Sequence, residues 1–303
     1  MSDFIFKKAQ ITMAKTRIAI CGPSGAGKTL SSLKLARGIA GEQGTIAVID
    51  TERSRSAAYA AENDVGIFDV LELNPPFSSQ RYIEALTAAF QANYSVLVVD
   101  SLSPEWAGTG GILDQVSNLR GRGNEFTIWK APSAAHAKLI DMIVRSPMHI
   151  ICTLRSKTSY EIQEENGKKV PRKIGLAPIA REGTEYDFDI VFDIDQDHKA
   201  VLSKCNAGYS RALGEILAVE PMITVKLGKA LRDWLANPPI QRSAQFLSTD
   251  YQERLTNASN AVGIEKFDSV LTEVLGKPGV QPASDEEAER VLVRLREVFL
   301  TAK

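Results

Sequence analysis

Short apolar runs and longer helical patterns alternate along the first 238 residues. TRIAIC (16–21), TIAVID (45–50), SVLVVD (95–100) and MHIICTL (148–154) are brief, rich in Val and Ile, and apolar at consecutive positions. Such runs predict strands of a parallel sheet covered on both faces. Helical candidates lie between them at 27–40, 78–92 and 130–145. In the second, Tyr82, Leu86, Ala89 and Phe90 recur at helical spacing, and Ser78 or Ser79 can cap its start. Residues 101–124, with their GTGG and GRG stretches, predict a loop with a short helix near the C-terminal end of a strand.

From Thr158 the period changes. TSYEIQEENGKKVPRKIGL has two extended arms around Asn166-Gly167, a hairpin-turn pair. FDIVFDID and KAVLSKC (188–205) predict a second antiparallel pair around Gln196-Asp197. A helix at 226–236 ends at Asn237-Pro238-Pro239, the predicted domain boundary, and the tail carries helical patterns at 248–262, 265–275 and 285–300. The expected organisation is a core at 1–238, including an N-terminal arm at 1–15, and a small helical region at 239–303. The expected fold class is α/β: a three-layer core with a mainly parallel sheet, an antiparallel extension and a helical tail.

Composition narrows the function classes. The 303 residues are 44% hydrophobic and 24% charged, ordinary globular usage that excludes disordered and collagenous chains. Lys and Arg number 36 against 37 Asp and Glu, a net charge of −1, so any nucleic-acid site must be a local patch. Cys21, Cys152 and Cys205 each sit in an apolar run and read as buried reduced thiols. No apolar stretch reaches the ~18–20 residues of a membrane span, and MSDFIFKKAQ is too charged for a signal peptide. A cytoplasmic protein without a membrane partner is expected.

GPSGAGKT (22–29) satisfies G-x-x-x-x-G-K-[ST], the Walker A motif, with a strand before it and a helix after it. Gly22, Gly25 and Gly27, with Pro23, Ser24 and Ala26 between them, can wrap backbone N–H groups around a triphosphate at the helix N-terminus that continues through Leu30. Lys28 supplies charge on the β- and γ-phosphates, and the Thr29 hydroxyl is a Mg²⁺ ligand. Asp100 ends an apolar strand, where a second acid would hold Mg²⁺ through water; Asp50 ends its strand in the same manner and competes for that role. Glu52 follows Asp50 in IDTERS, just past a strand end, and can orient and polarise an attacking water; the plainer alternative is a solvated Glu.

GPSGAGKT, then IDTE after the next strand, then VLVVDS, then a fourth strand running into CTLRSK, resembles the RecA-like P-loop ATPase superfamily. In particular it is similar to compact phage-encoded relatives of the RecA and RadA recombinases, some of which anneal single strands. The likeness covers residues 1–235. It implies ATP and Mg²⁺ as cofactors, Glu52 as the catalytic glutamate, Asp100 as the Mg²⁺ aspartate, and Thr153 or Arg155 at the γ-phosphate sensor position, where this chain lacks the usual glutamine. It further implies head-to-tail assembly into a ring or filament. There a basic residue on the late strand pair, Lys204 or else Lys199 or Arg211, reaches a neighbour's nucleotide. FKKA (6–9) resembles the F-x-x-A polymerisation motif, with Phe6 and Ala9 as its anchors.

Between 155 and 181 stand seven cations (Arg155, Lys157, Lys168, Lys169, Arg172, Lys173 and Arg181) and three carboxylates, a local excess of four. On a hairpin after the sensor strand, this matches the second DNA-binding loop of RecA-like proteins, where cations bind phosphates and Tyr160 can stack a base. The plainer alternative is a solvated hairpin with charged edges. The first loop would be 105–127, with Trp106, Arg120, Arg122 and Phe126. His136 reads as a packed or solvated helix residue, and the His and Cys residues show no metal-ligand spacing. The leading expectation is an ATPase acting on single-stranded DNA in phage recombination, annealing or repair, with a single-stranded DNA-binding protein as a possible partner. The alternatives are an annealing module using ATP as a conformational ligand, and a small-molecule P-loop kinase. No N-K-x-D motif supports a GTPase.

Overall fold

The runs that are apolar at every position do bury both faces, and the computed structural model identifies what covers each. It describes residues 15–121, 123–165, 168–205, 210–236, 249–276, 282 and 285–300. The chain divides into two compact units, Met1–Pro238 and Pro239–Lys303.

In the first unit, β1 (Arg17–Gly22) leads into α1 (Lys28–Ala40), then β2 (Ile46–Asp50), β3 (Asp69–Glu72), α2 (Ser79–Gln91) and β4 (Val96–Asp100). Helices α3 (Ser103–Ala107), α4 (Ile112–Leu119) and α5 (Glu125–Val144) precede β5 (His149–Glu165) and β6 (Lys168–Pro178). The unit closes with β7 (Ile190–Ile194), β8 (Ala200–Cys205), α6 (Ser210–Val219) and α7 (Val225–Ala236). The sheet order is β3-β2-β4-β5-β1-β7-β8, with β6 paired to β5. The pairs from β3 through to β7 are parallel, whereas β7–β8 and β5–β6 are antiparallel. This is the three-layer α/β fold that the alternation predicts. Strand β5 is inserted between β1 and β4, so the ends of β1, β5, β4 and β2 open on one edge of the sheet, where ligands of open α/β folds bind.

Alternate residues of each strand serve opposite layers. Ile18, Ile20, Val48, Val98 and Ile151 pack with Leu33 and Ala36 of α1 and Leu227 and Leu231 of α7. Ala19, Cys21, Ile49, Val99 and Cys152 pack with Tyr82 and Leu86 of α2 and Leu139 and Ile143 of α5. Helices α1 and α7 meet backbone to backbone. A Cβ on Gly38 would lie 2.3 Å from the Val225 carbonyl oxygen and 2.6 Å from the Gly228 Cα.

The structure differs from the sequence pattern in several places, among them helix α6, which the pattern did not announce. Strand β3 has no apolar run to announce it, since all four residues are exposed; it forms because β2 offers a free parallel edge. Residues 101–124 hold two helices, α3 and α4, rather than one. Helix α5 starts at Glu125, five residues before the expected 130, because the Asn124 side chain accepts from the Thr127 N–H at 2.8 Å and caps it. The β5–β6 register pairs Glu165 with Lys168; the intervening Asn166-Gly167 lies outside the described residues.

In the second unit, α8 (Thr249–Val262), α9 (Ile264–Leu275) and α10 (Asp285–Leu300) enclose a core that includes Leu255, Phe267, Leu271, Val291 and Leu295. Among the described residues no helix is long and apolar enough to cross a membrane.

Gly38→Ala is expected to force α1 and α7 apart and to cost about 1–3 kcal/mol. Urea unfolding checks this, and a midpoint equal to the parent's would mean the helices yield without strain.

Candidate nucleotide-binding and catalytic site

The phosphate loop grows from the end of β1. Gly22 has no room for a Cβ, which would stand 2.6 Å from the Ile194 carbonyl oxygen. Gly25 and Gly27 both take φ +82, the left-handed region that glycine adopts at little cost. Gly27 is the N-cap of α1 and offers no side-chain acceptor, so the first N–H groups of a thirteen-residue helix face the loop. That cradle fits a polyphosphate. The Lys28 ammonium donates to the Pro23 carbonyl at 2.7 Å; burial lowers its pKa, and the carboxylates of Asp100 and Glu52 act in the opposite sense. Loop, lysine and acids line one cleft of about 690 Å³.

A second segment clasps the loop. In the β7–β8 turn, His198 Nδ1 stands 3.0 Å from the Ala26 carbonyl oxygen, and the Gln196 amide donates to the Ser24 carbonyl at 3.3 Å. The imidazole also packs on Gly27, where a Cβ would come within 3.1 Å of Nδ1. Sequence reading marks Gln196 only as a turn residue and gives no signal for His198. Contacts 172 residues apart leave no local pattern.

Asp50 and Asp100 end adjacent strands as register partners, and their surroundings separate them. Both Asp50 oxygens are taken up by the following loop: Oδ1 accepts from the Glu52 N–H at 2.6 Å, and Oδ2 accepts from the Ser56 N–H at 2.9 Å and hydroxyl at 2.5 Å. Asp50 therefore shapes the turn that presents Glu52. That turn holds Arg53 and Ser54 at φ 60 and 56, a strain these side chains adopt only where other contacts dictate it. Asp100 instead accepts from the Thr29 hydroxyl at 2.6 Å and the Thr153 hydroxyl at 2.5 Å. Burial raises its pKa, and the two hydroxyl hydrogen bonds pull it back. A buried carboxylate oxygen touching a hydroxyl beside a polyphosphate cradle is a hard-oxygen donor set that suits Mg²⁺.

Glu52 is only partly exposed, and its carboxylate is held by cations. Arg155 donates to Oε1 through Nη2 at 2.7 Å and Nε at 3.1 Å, and Arg55 Nη1 lies 3.7 Å from Oε2. The structure thus brings Lys28, Thr29, Glu52, Asp100 and Arg155 together. Of the two sensor candidates, Thr153 is bonded to Asp100 and Arg155 to Glu52.

Other predicted residues lie elsewhere. Lys204, expected as an intersubunit finger, donates to the carbonyls of Glu185 (3.3 Å), Tyr186 (2.6 Å) and Phe188 (2.6 Å) of its own chain. A reach to a neighbour would forfeit all three of these hydrogen bonds. Lys199 faces Asp197 at 3.8 Å. Lys157 is exposed on β5; Lys168, Lys169, Arg172 and Lys173 are placed along β6 by its backbone alone. Phe6, Ala9 and Arg122 lie outside the described residues. Trp106 stacks on Trp129 at 6.0 Å, while Phe126 is exposed. His136 is buried, with Nδ1 3.0 Å from Glu105 Oε2, and Glu105 also accepts from the Ser79 hydroxyl. None of the cysteines forms a disulfide, and burial pushes the Cys21 thiol up to about 12. Among the described residues no group of three His, Cys, Asp or Glu side chains could hold a metal.

A family model described as an AAA domain matches residues 14–215. No curated protein matches the chain. Among solved structures, it is similar to a KaiC-like protein from the hyperthermophilic archaeon Pyrococcus horikoshii OT3. The two are 16% identical, with a TM-score of 0.36, over 63% of this chain and 80% of that one.

His198→Ala removes the brace from the Ala26 carbonyl. A lost hydrogen bond of about 1 kcal/mol corresponds to roughly a fivefold weaker ATP affinity. Titration calorimetry measures it, and an unchanged Kd would mean the loop holds its shape without the clasp.

Proposed function

The chain belongs to the AAA-domain family, and from that premise we propose that it carries a RecA-like P-loop ATPase core, hydrolyses ATP with Mg²⁺ and couples hydrolysis to single-stranded DNA as a homo-oligomer. The observation that carries this reading is the convergence of Lys28, Thr29, Asp100 and Glu52 on one cleft. The triphosphate lies along the glycine-lined loop at the N-terminus of α1. Lys28 exchanges the Pro23 carbonyl for phosphate oxygens. Thr29 and Asp100 would hold Mg²⁺, which would supply charge neutralisation to the polyphosphate. Glu52 orients water and takes its proton. The water oxygen bonds to the γ-phosphorus as the bond to the bridging oxygen of ADP breaks, and the products are ADP and inorganic phosphate.

The DNA assignment draws its support from β5–β6. Past Arg155 this hairpin leaves the main sheet, and its two strands pair with each other from Ser156–Pro178 to Glu165–Lys168. Five of the seven cations, Lys157, Lys168, Lys169, Arg172 and Lys173, belong to it against three carboxylates, and cations there can bind phosphates without reading bases. Self-assembly draws support from a lateral edge of the sheet. Strand β3 is an edge with Val70 and Leu71 exposed, and beside it a cavity of about 180 Å³ is lined by Ala85, Ala88 and Ala89. An edge of this type accepts an added strand, and the cavity suits the Phe6 side chain of a neighbouring copy.

Glu52→Gln is expected to bind ATP within twofold of the parent while turnover falls roughly a hundredfold or more. A coupled phosphate-release assay checks it; near-parental hydrolysis would remove Glu52 from the chemistry. Replacing Lys168, Lys169, Arg172 and Lys173 by Ala together should weaken binding of a poly-dT oligonucleotide. The slope of log affinity against log salt should become shallower by about 2–3. Fluorescence anisotropy across a NaCl series measures this, and an unaltered slope would place the DNA elsewhere.

A further inference from the structure

The turn that presents Glu52 brings a second charged side chain to the same cleft. Arg55 lines the cavity together with Lys28, Thr29, Glu52 and Asp100. Its backbone has little freedom. Ser54 before it sits at φ 56, and Ser56 after it is buried, with N–H and hydroxyl both donating to Asp50 Oδ2. The Ala57 N–H donates to the Ser54 carbonyl at 3.1 Å and opens a 3₁₀ helix, Arg55–Ala61. The side chain is loosely held by comparison. Of its surface 79% is accessible, and Nη1 stands 3.7 Å from Glu52 Oε2, beyond hydrogen-bond length.

Among the described residues, the other lysines and arginines that line the cleft are engaged. Lys28 serves the phosphate loop, Lys34 is paired with Asp64 at 2.8 Å, and Arg155 donates twice to Glu52 Oε1. Lys204, the expected finger from a neighbour, is tied to three carbonyls of its own chain. Phosphoryl transfer spreads negative charge over the equatorial oxygens of the γ-phosphate, and a preorganised cation there lowers the barrier. A base that activates the attacking water stands one water away from those oxygens. A guanidinium already beside Glu52 Oε2 is therefore within a side-chain rotation of them. The exposed ion pair it would leave adds little stability, whereas a guanidinium fork grips two phosphate oxygens at once.

We infer that Arg55 is a catalytic residue that serves the nucleotide of its own chain. When ATP occupies the cleft, its guanidinium passes from Glu52 Oε2 to the γ-phosphate oxygens. There it stabilises the charge that builds as the bond to the bridging oxygen breaks, giving and taking no proton itself. The inference rests on the proposed reading of this cleft as the site of ATP hydrolysis.

The test compares the full-length parent with Arg55→Ala and Arg55→Lys by phosphate release over a series of ATP concentrations. Titration calorimetry adds the affinities for ADP and for the non-hydrolysable analogue AMP-PNP. Arg55→Ala should lower kcat about a hundredfold, with KM within about threefold. It should weaken AMP-PNP several-fold and leave ADP unchanged, because the contact is to the third phosphate alone. Arg55→Lys keeps the charge but lacks the fork, so its kcat should fall in between; it also serves if the alanine variant does not fold. Mixing Arg55→Ala with Lys28→Ala subunits decides whose nucleotide the guanidinium serves. Action within one chain leaves the mixture as slow as its components. Recovery of turnover on mixing would mean that Arg55 reaches a neighbour's nucleotide, and would overturn the assignment. A parental kcat in Arg55→Ala, or equal losses of ADP and AMP-PNP affinity, would do the same. If the parent hydrolyses ATP faster than Lys28→Ala and Arg55→Ala matches the parent, the inference alone fails. If the parent and Lys28→Ala release phosphate at the same rate, hydrolysis does not occur in this cleft and the inference falls with that reading.

Discussion

Two carboxylates buried side by side at the ends of β2 and β4 are the constraint around which the site is built. An ionised carboxylate withdrawn from water costs several kcal/mol unless donors replace its hydration. Asp50 finds three donors in the loop that follows it, and Asp100 finds two hydroxyls, one from the phosphate loop and one from β5. Their satisfaction pins the turn carrying Glu52, the first turn of α1 and the end of β5 to one point. The sheet order makes this possible, because β5 lies between β1 and β4 and brings Thr153 within reach of Asp100.

Around that point the site is supported from segments far away in the chain. The β7–β8 turn braces the carbonyls of Ser24 and Ala26, while Asp50 holds Glu52 from behind and Arg155 holds it from the front. The phosphate loop is thus shaped by a turn about 170 residues downstream as well as by its own glycines. The catalytic candidate is likewise shaped by Asp50 at the end of the strand before it and by Arg155 of β5.

Some of this organisation was legible in the amino-acid sequence. The doubly apolar runs became strands buried on both faces, and the 3.6-residue patterns became the helices that cover them. GPSGAGKT formed a loop at a helix N-terminus, because glycine conformation and helix polarity are local properties. Other features were not legible. The edge strand β3 carries four exposed residues, so its existence depends on the free edge of β2 rather than on its own pattern. Helix α5 extends further back than its apolar spacing because Asn124 caps it. Lys204, a cation on a late strand, found carbonyl partners in its own chain that no spacing rule anticipates.

By itself, then, the sequence determined the alternation of strand and helix, the polyphosphate cradle, and the set of acids and cations from which a site could be drawn. Tertiary structure decided which acid does what. Asp50 and Asp100 are equivalent as residues ending apolar strands, and only their neighbours across the sheet make one a scaffold and the other a partner of Thr29. It also decided that Arg155 lies on Glu52 and His198 under Gly27. The physical reason is the range of the forces involved. Backbone conformation and apolar periodicity act over a few residues, whereas hydrogen bonds and ion pairs at the site join side chains that only the sheet order brings together.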